Sequence, residues 1–313
     1  MIAVHGGAGL FREGIEQFCA TALKDDGLGK AGNNLTSSDE IEVGNRLVKA
    51  IMKLEKCSKF NCGYGSNLTE AGTVECEGAF ICSENLAFGH KLCHPIYAAH
   101  KLSMSHKSNS EENGLIKPIV LVGKGANQYC EALNVGIVLN ENLRTERAKR
   151  DRNLAINRVF NNEQNESSTN NISRLDTTGG VFIDENGYCE AGVSSGGILL
   201  KKEGRLGHST QFRAAIWAEK RENVSIAISL SGCGETLIRT RMAEIIAEFF
   251  FSNDLDDLFL PEKIKNFLEG ESFLKSKRLQ TFPVSYLLLG GIAAVQSNKI
   301  STLYAFHNSA ISQ

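Results

Sequence analysis

The stretch Arg174-Leu175-Asp176-Thr177-Thr178-Gly179-Gly180-Val181 joins a polar run to the start of a strand hairpin. The bond between Asp176 and Thr177 is expected to be cut by the chain itself. Threonine inside a polypeptide is a poor nucleophile. At a new N-terminus it carries its own base, an α-amino group with an unperturbed pKa of about 7.7–8.0. Upstream, residues 161 to 171 are dominated by Asn, Glu, Ser and Gln. Such a run has too little apolar surface to offset the entropy of ordering it, which predicts a flexible tail over about 161–176 that can move aside after cleavage. Downstream, Val181 to Asp184 and Tyr188 to Val193 flank Glu185-Asn186-Gly187, where the Asn-Gly pair signals a hairpin turn. Thr177 then heads a core strand.

Outward from this point, the chain's 313 residues, 42% of them apolar, suffice for a substantial core, and a formal charge of −2 gives no electrostatic reason to expect direct nucleic-acid or membrane binding. The opening Met1-Ile2-Ala3-Val4-His5-Gly6-Gly7 lacks the charged head and long apolar segment of a signal peptide, and no run approaches a membrane span. Nine cysteines without a Cys-x-x-Cys pair read as free thiols in a reducing compartment, with neither metal nor cofactor. The expected location is cytoplasmic, nuclear or both, the basic run Arg144 to Arg152 being compatible with the nucleus.

Ser37-Ser38-Asp39-Glu40 has the form of a capping box, and Ile41, Leu47, Val48, Ile51 and Leu54 recur at helical spacing, predicting a helix over 38–56. Phe60 to Leu68 reads as a compact loop before a strand from Thr73 to Cys76, and Lys117 to Gly123 as a buried strand. Gly123-Lys124-Gly125-Ala126-Asn127 lacks the glycines of a phosphate-binding turn. A charged helix is expected from Arg144 to Arg158, a strand from Val224 to Ser231, and a helix from Glu235 to about Phe251. A last hairpin pairs 284–295 with 300–307 and turns at Ser297-Asn298. No linker separates two cores, so residues 1–313 are read as one domain of two sheets with helices outside.

Two catalytic readings compete. Gly192-Val193-Ser194-Ser195-Gly196 matches the serine-hydrolase elbow, with His5-Gly6-Gly7-Ala8-Gly9 as its oxyanion loop and Asp254 or Asp256 and His307 downstream. That elbow must open a helix, whereas Gly196-Gly197-Ile198-Leu199-Leu200 carries no helix cap. In the threonine reading the Thr177 hydroxyl attacks a carbonyl and its amine takes the proton. Ser231 and the N–H of Gly232 are the oxyanion donors, and Ser195 hydrogen-bonds the hydroxyl. Arg205, in the loop Gly204-Arg205-Leu206-Gly207-His208, is placed to grip a carboxylate.

Asp176-Thr177-x-Gly-Gly-Val, His5-Gly6-Gly7-Ala8-Gly9, Phe60-Asn61-x-Gly63-x-Gly65-Ser66, Ser195-Gly196-Gly197, Gly204-Arg205-x-Gly207 and Ser231-Gly232-x-Gly234-Glu235 together resemble, in order, the type 2 asparaginase family of N-terminal-nucleophile hydrolases. Asp176 before the nucleophile, Ser195 for the usual threonine, and Trp217-Ala218-Glu219 resemble the family's threonine aspartase (taspase) branch. The resemblance implies an α+β fold, a four-layer αββα sandwich, cleavage into an α chain 1–176 and a β chain 177–313, and a homodimer of precursors maturing to an (αβ)2 heterotetramer. It also implies a threonine endopeptidase cutting protein substrates, transcription regulators among them, after aspartate. Asn61 and Gly234 enter the expected site on the same ground. The family's asparaginases hold a substrate's α-ammonium with an aspartate three residues after the arginine; here that position is His208, which supplies no anion. Arg205 is then expected to hold an internal aspartyl side chain. The alternatives are an L-asparaginase or isoaspartyl dipeptidase, and an inactive scaffold. Glu77, Gly78 and Gly180 depart from the family's usual aspartate, alanine and alanine.

Overall fold

The computed structural model describes residues 1–7, 15–24, 45–83, 86–90, 94–106, 115–133, 139–161, 177–270 and 289–307. Their strands form two sheets. The first runs in the order β1 (Ile2–His5), β5 (Thr178–Ile183), β6 (Cys189–Ser195), β2 (Glu77–Cys82), β3 (Leu86–His90) and β4 (Val120–Leu121), and is antiparallel except for the β3–β4 edge pair. The second, antiparallel throughout, runs β10 (Ile300–His307), β9 (Leu289–Ser297), β8 (Val224–Gly232) and β7 (Ile216–Arg221).

Alternation along the strands decides what each face meets. Val181, Ile183, Ala191 and Val193 of the first sheet pack against Ile216, Ala218, Ala227, Ile292 and Ala294 of the second. The alanines let the two sheets approach closely. Behind the first sheet, α2 (Arg46–Glu55) and α3 (Pro95–Ser105) set Leu47, Ile51, Ile96 and Ala99 on Phe80 and Cys82. Behind the second, α7 (Met242–Phe251) and α8 (Leu260–Glu269) set Ile246, Phe250 and Ile264 on Ile226, Ile228 and Leu230. Phe80 and Phe250 are fully buried, and truncating either to alanine should cost about 3–5 kcal/mol.

Several sequence expectations are corrected. The described helix begins at Arg46, capped by Asn45, whose Oδ1 accepts from Val48 N at 2.9 Å while its Nδ2 donates to the Glu190 carboxylate. The proposed capping box at 37–40 lies outside the described residues. The stretch Thr73 to Cys76 makes only an isolated bridge, Leu68 to Val74, because the Asn140 side chain bonds both Val74 N and Val74 O where a neighbouring strand would. The continuous strand is Glu77–Cys82. Lys117 to Gly123 is not a buried strand: only Val120 and Leu121 pair, at the sheet edge, with Ile119 and Val120 exposed. Arg241, at φ 53, breaks the expected helix of 235–251 into α6 (Gly234–Thr240) and α7. The first hairpin turns through Gly187 at φ 82, Asp184 Oδ1 accepting from Asn186 N and Tyr188 N. The last turns at Asn298-Lys299, one residue beyond the expected pair, and both residues have positive φ as a type I′ turn requires. The charged helix is present as α5 (Glu146–Asn161). Gly78 is explained by space, since a Cβ there would stand 2.5 Å from the Pro95 carbonyl carbon.

Candidate active site

Asn61, Glu77, Thr177, Ser195, Gly197, Ile198, Arg205, Gly207, His208, Gly232 and Gly234 line one cleft at the same end of both sheets. Thr177 immediately precedes β5, and pairing of Thr178 with Ser194 sets it beside the end of β6. Its hydroxyl is 3.0 Å from Ser195 Oγ and 3.2 Å from His208 Nε2. Ser195 Oγ accepts from Gly197 N at 3.0 Å, which fixes the serine for its second bond, to Thr177. Asn61 stands one step further back. Its Nδ2 donates to Gly197 O at 2.8 Å, its Oδ1 accepts from Asn67 N, and its carbonyl accepts from Gly196 N. Asn61 therefore holds the turn that holds Ser195, and its amide is spent on backbone.

Two imidazoles complete this end of the cleft. Burial lowers the His208 pKa to about 3, the nearby Arg205 and His5 adding to the effect. His5, 2.9 Å from Ser229 Oγ, is lowered to about 4 by the same desolvation, against the Thr177 backbone, which raises it. Both rings are neutral at physiological pH. A neutral ring can accept a hydrogen bond from the Thr177 hydroxyl at His208 Nε2.

The other end is charged. Arg205 Nε donates to Glu235 Oε1 at 2.7 Å, and Nη2 lies 2.6 Å from the same oxygen. Glu235 is in the first turn of α6, which follows Gly232. Lys201, fully buried, donates to Glu75 O and lies 4.0 Å from Glu77 Oε1. Glu77, fully buried, accepts from Gly207 N at 2.7 Å through Oε1, while its Oε2 has no hydrogen-bond partner among the described residues. Burial raises the Glu77 pKa, against Lys201, Gly207 N and Arg205, which lower it. Lys201 is lowered, again first by burial.

Of the residues picked from sequence, Thr177, Ser195, Asn61, Arg205, His208, Gly232 and Gly234 come together in this cleft. Ser231, buried at the end of β8, is set back from the lining. Asp176, Ala8, Gly9 and the tail 162–176 lie outside the described residues. His208 lines the cleft and also stands against the nucleophile. The elbow reading fails on geometry, because Ser194 sits within β6 and no helix follows it. Sequence reasoning did not place Glu77, Lys201 or Glu235 in the site. Glu77 had been noted only as a departure from a usual aspartate; Lys201, in Leu199-Leu200-Lys201-Lys202, carries no local signal of burial.

A buried threonine at a strand start, backed by a serine on the neighbouring strand and facing an arginine across a cleft between two sheets, defines a hydrolase of the N-terminal-nucleophile type. The family model described as "Asparaginase" (type 2) matches residues 1–254, and the chain belongs to that family. It is 28% identical over 257 residues to an isoaspartyl peptidase/L-asparaginase of Xenopus laevis, covering 79% of this chain and 74% of that one. It is 27% identical over 257 residues to the isoaspartyl peptidase of Salmonella typhimurium, covering 79% and 77%. The isoaspartyl peptidase of Escherichia coli is 26% identical over 257 residues, covering 79% and 75%.

Proposed function

We propose that the chain is a threonine hydrolase that cuts itself between Asp176 and Thr177 and then cleaves protein substrates after an internal aspartate. The curated relatives carry isoaspartyl peptidase and asparaginase names, and by that measure a hydrolase of isoaspartyl peptides or asparagine is the better-backed reading. The observation that favours the endopeptidase is His208: the position from which a family asparaginase offers a carboxylate to the substrate's ammonium holds a neutral ring, turned to Thr177 Oγ1 at 3.2 Å. An internal aspartyl residue has no such ammonium. The helices packed behind each sheet support the four-layer αββα order as part of the same proposal.

In the cut enzyme the Thr177 α-amine takes the proton of its own hydroxyl, and Oγ1 attacks the carbonyl carbon of the aspartyl residue. Arg205 holds that residue's side chain, and Gly232 N–H, at the cleft wall, faces the developing oxyanion. The proton passes to the departing amine, leaving an ester that water hydrolyses. Ser195, fixed by Gly197 N, orients Oγ1 throughout.

Two substrates decide between the readings: a peptide with an internal Asp-Gly bond, and asparagine or a β-aspartyl dipeptide. The endopeptidase reading requires cleavage of the first and slow turnover of the others. Rapid ammonia release from asparagine with no cut in the peptide would establish the second reading.

A further inference from the structure

The charged end of the cleft is balanced before substrate arrives. Arg205 is paired with Glu235, and Lys201 lies against Glu77. A substrate carboxylate added to that set leaves one negative charge uncompensated in a buried place, which is costly unless a group there changes its protonation. Glu235 is the more exposed of the two carboxylates, with its side chain at 42%, and both its contacts with Arg205 are short. Glu77 is the buried one and has an oxygen to spare.

The position of that oxygen is specific. An ideal Cβ at Gly207 would stand 2.8 Å from Glu77 Oε2 and 3.1 Å from Arg205 Nη1. The guanidinium and Oε2 therefore converge on the Gly207 backbone, at the wall of the cleft that both residues line. We infer that Glu77 receives the substrate's carboxylate as a carboxylic acid, its Oε2–H donating to one oxygen while Arg205 donates to the other. The proton comes from solvent on binding and returns there when product leaves, so no other group gains or loses charge. This rests on the reading that the substrate brings a carboxylate without an ammonium. Burial, the largest influence on Glu77, favours its neutral form.

Several groups are placed around Glu77. Ser195 is its register partner on β6 and His90 on β3. From the 201–208 segment come Lys201, Arg205 and His208, and Glu235 comes from α6. His208 is already neutral, Glu235 is held by Arg205, and Lys201 is committed to the Glu75 carbonyl. A protonated Glu77 also relieves the orphaned oxygen, because Oε2 becomes a donor with an acceptor to meet.

The test uses the self-cleaved protein and N-acetyl-aspartate α-amide, which carries one side-chain carboxylate and no ammonium. Calorimetry in two buffers of different ionisation enthalpy should show proton uptake on binding by the wild type, rising toward one proton per ligand as pH increases. Glu77→Gln, which offers an amide donor in the same place, should bind with no such uptake. In kinetics on the Asp-Gly peptide, wild-type KM should rise by up to tenfold per pH unit above the Glu77 pKa with kcat unchanged, and the variant should lose that limb. Binding without proton uptake, equal uptake by Glu77→Gln, or no binding at any pH would overturn the inference. Glu77→Gln that still self-cleaves but has lost the ligand at every pH would overturn it too, and would point to an ionised Glu77 meeting a substrate ammonium. Proton-linked binding without peptide cleavage would leave Glu77's role standing and remove the endopeptidase reading.

Discussion

The two ends of the cleft are built from opposite chemistry. Around Thr177 stand a serine and a histidine within hydrogen-bonding distance, with His5 and Ser229 behind, and both rings are held neutral by burial. Around Arg205 stand three further ionisable groups, Glu235, Lys201 and Glu77. The first arrangement surrounds the nucleophile with uncharged partners, although the Arg205 charge is felt at His208. The second presents paired charges to whatever enters the cleft. The difference predicts that lesions at one end should be read in kcat and in self-cleavage, and lesions at the other in KM.

The largest effect belongs to Thr177→Ala. It should leave a single uncut chain on a denaturing gel after long incubation and reduce hydrolysis by at least about 10⁴-fold, since no other group on the cleft wall combines a nucleophile with its own amine. Ser194→Ala is the matched control: its hydroxyl has no hydrogen-bond partner among the described residues, and it should self-cleave as the wild type does. A Thr177→Ala chain that is still cut would dissolve the contrast between the two ends.

Next in size is Arg205→Ala. Losing a two-pronged, charge-assisted grip costs about 3 kcal/mol, or roughly 10²-fold, expected in KM. Arg205→Lys should recover little of it, because an ammonium cannot meet Glu235 and a substrate carboxylate with one planar face. A loss confined to kcat would mean that Arg205 acts on the reacting atoms. Ser195→Ala should be milder, about tenfold in kcat, the worth of one hydrogen bond to the nucleophile. Ser195→Thr, which keeps the hydroxyl, should stay near wild type.

The uneven legibility of the two ends has a physical cause. Thr177, Ser195 and Arg205 were readable because strand termini and glycine-bracketed loops mark where backbone turns into a cleft. The hairpin that carries Thr177 was readable from its alternation. Glu77 and Lys201 were not, since each looks like an ordinary strand or loop residue until β2 and the 200–207 segment are brought side by side, where Gly207 N donates to Glu77. Arg241, which breaks one expected helix into two, was equally silent: a left-handed φ at a non-glycine residue is imposed by packing. Asn61 lines the cleft, but its amide bonds backbone, and sequence does not say which backbone an amide will bond.

The smallest effect concerns stability, and its sign differs between the two ends. For His5 and His208 the folded pKa values, about 4 and about 3, lie below the ordinary 6.5, so the unfolded chain binds more protons between those limits. Their contribution is present above pH 6.5 and is lost as pH falls toward the folded values, each ring removing about 0.7 kcal/mol between pH 7 and pH 6. Glu77 runs the other way. Its raised pKa makes its contribution fullest below the ordinary carboxylate value and lost as pH rises through the folded one. Urea denaturation of His208→Gln at pH 7 and pH 6 should therefore show a shallower acid loss than the wild type by about the share of one ring, and Glu77→Gln should remove a loss that lies in the opposite direction. If His208→Gln keeps the full acid slope, the ring at the nucleophile is charged in the folded protein, and the uncharged character assigned to that end of the cleft is wrong.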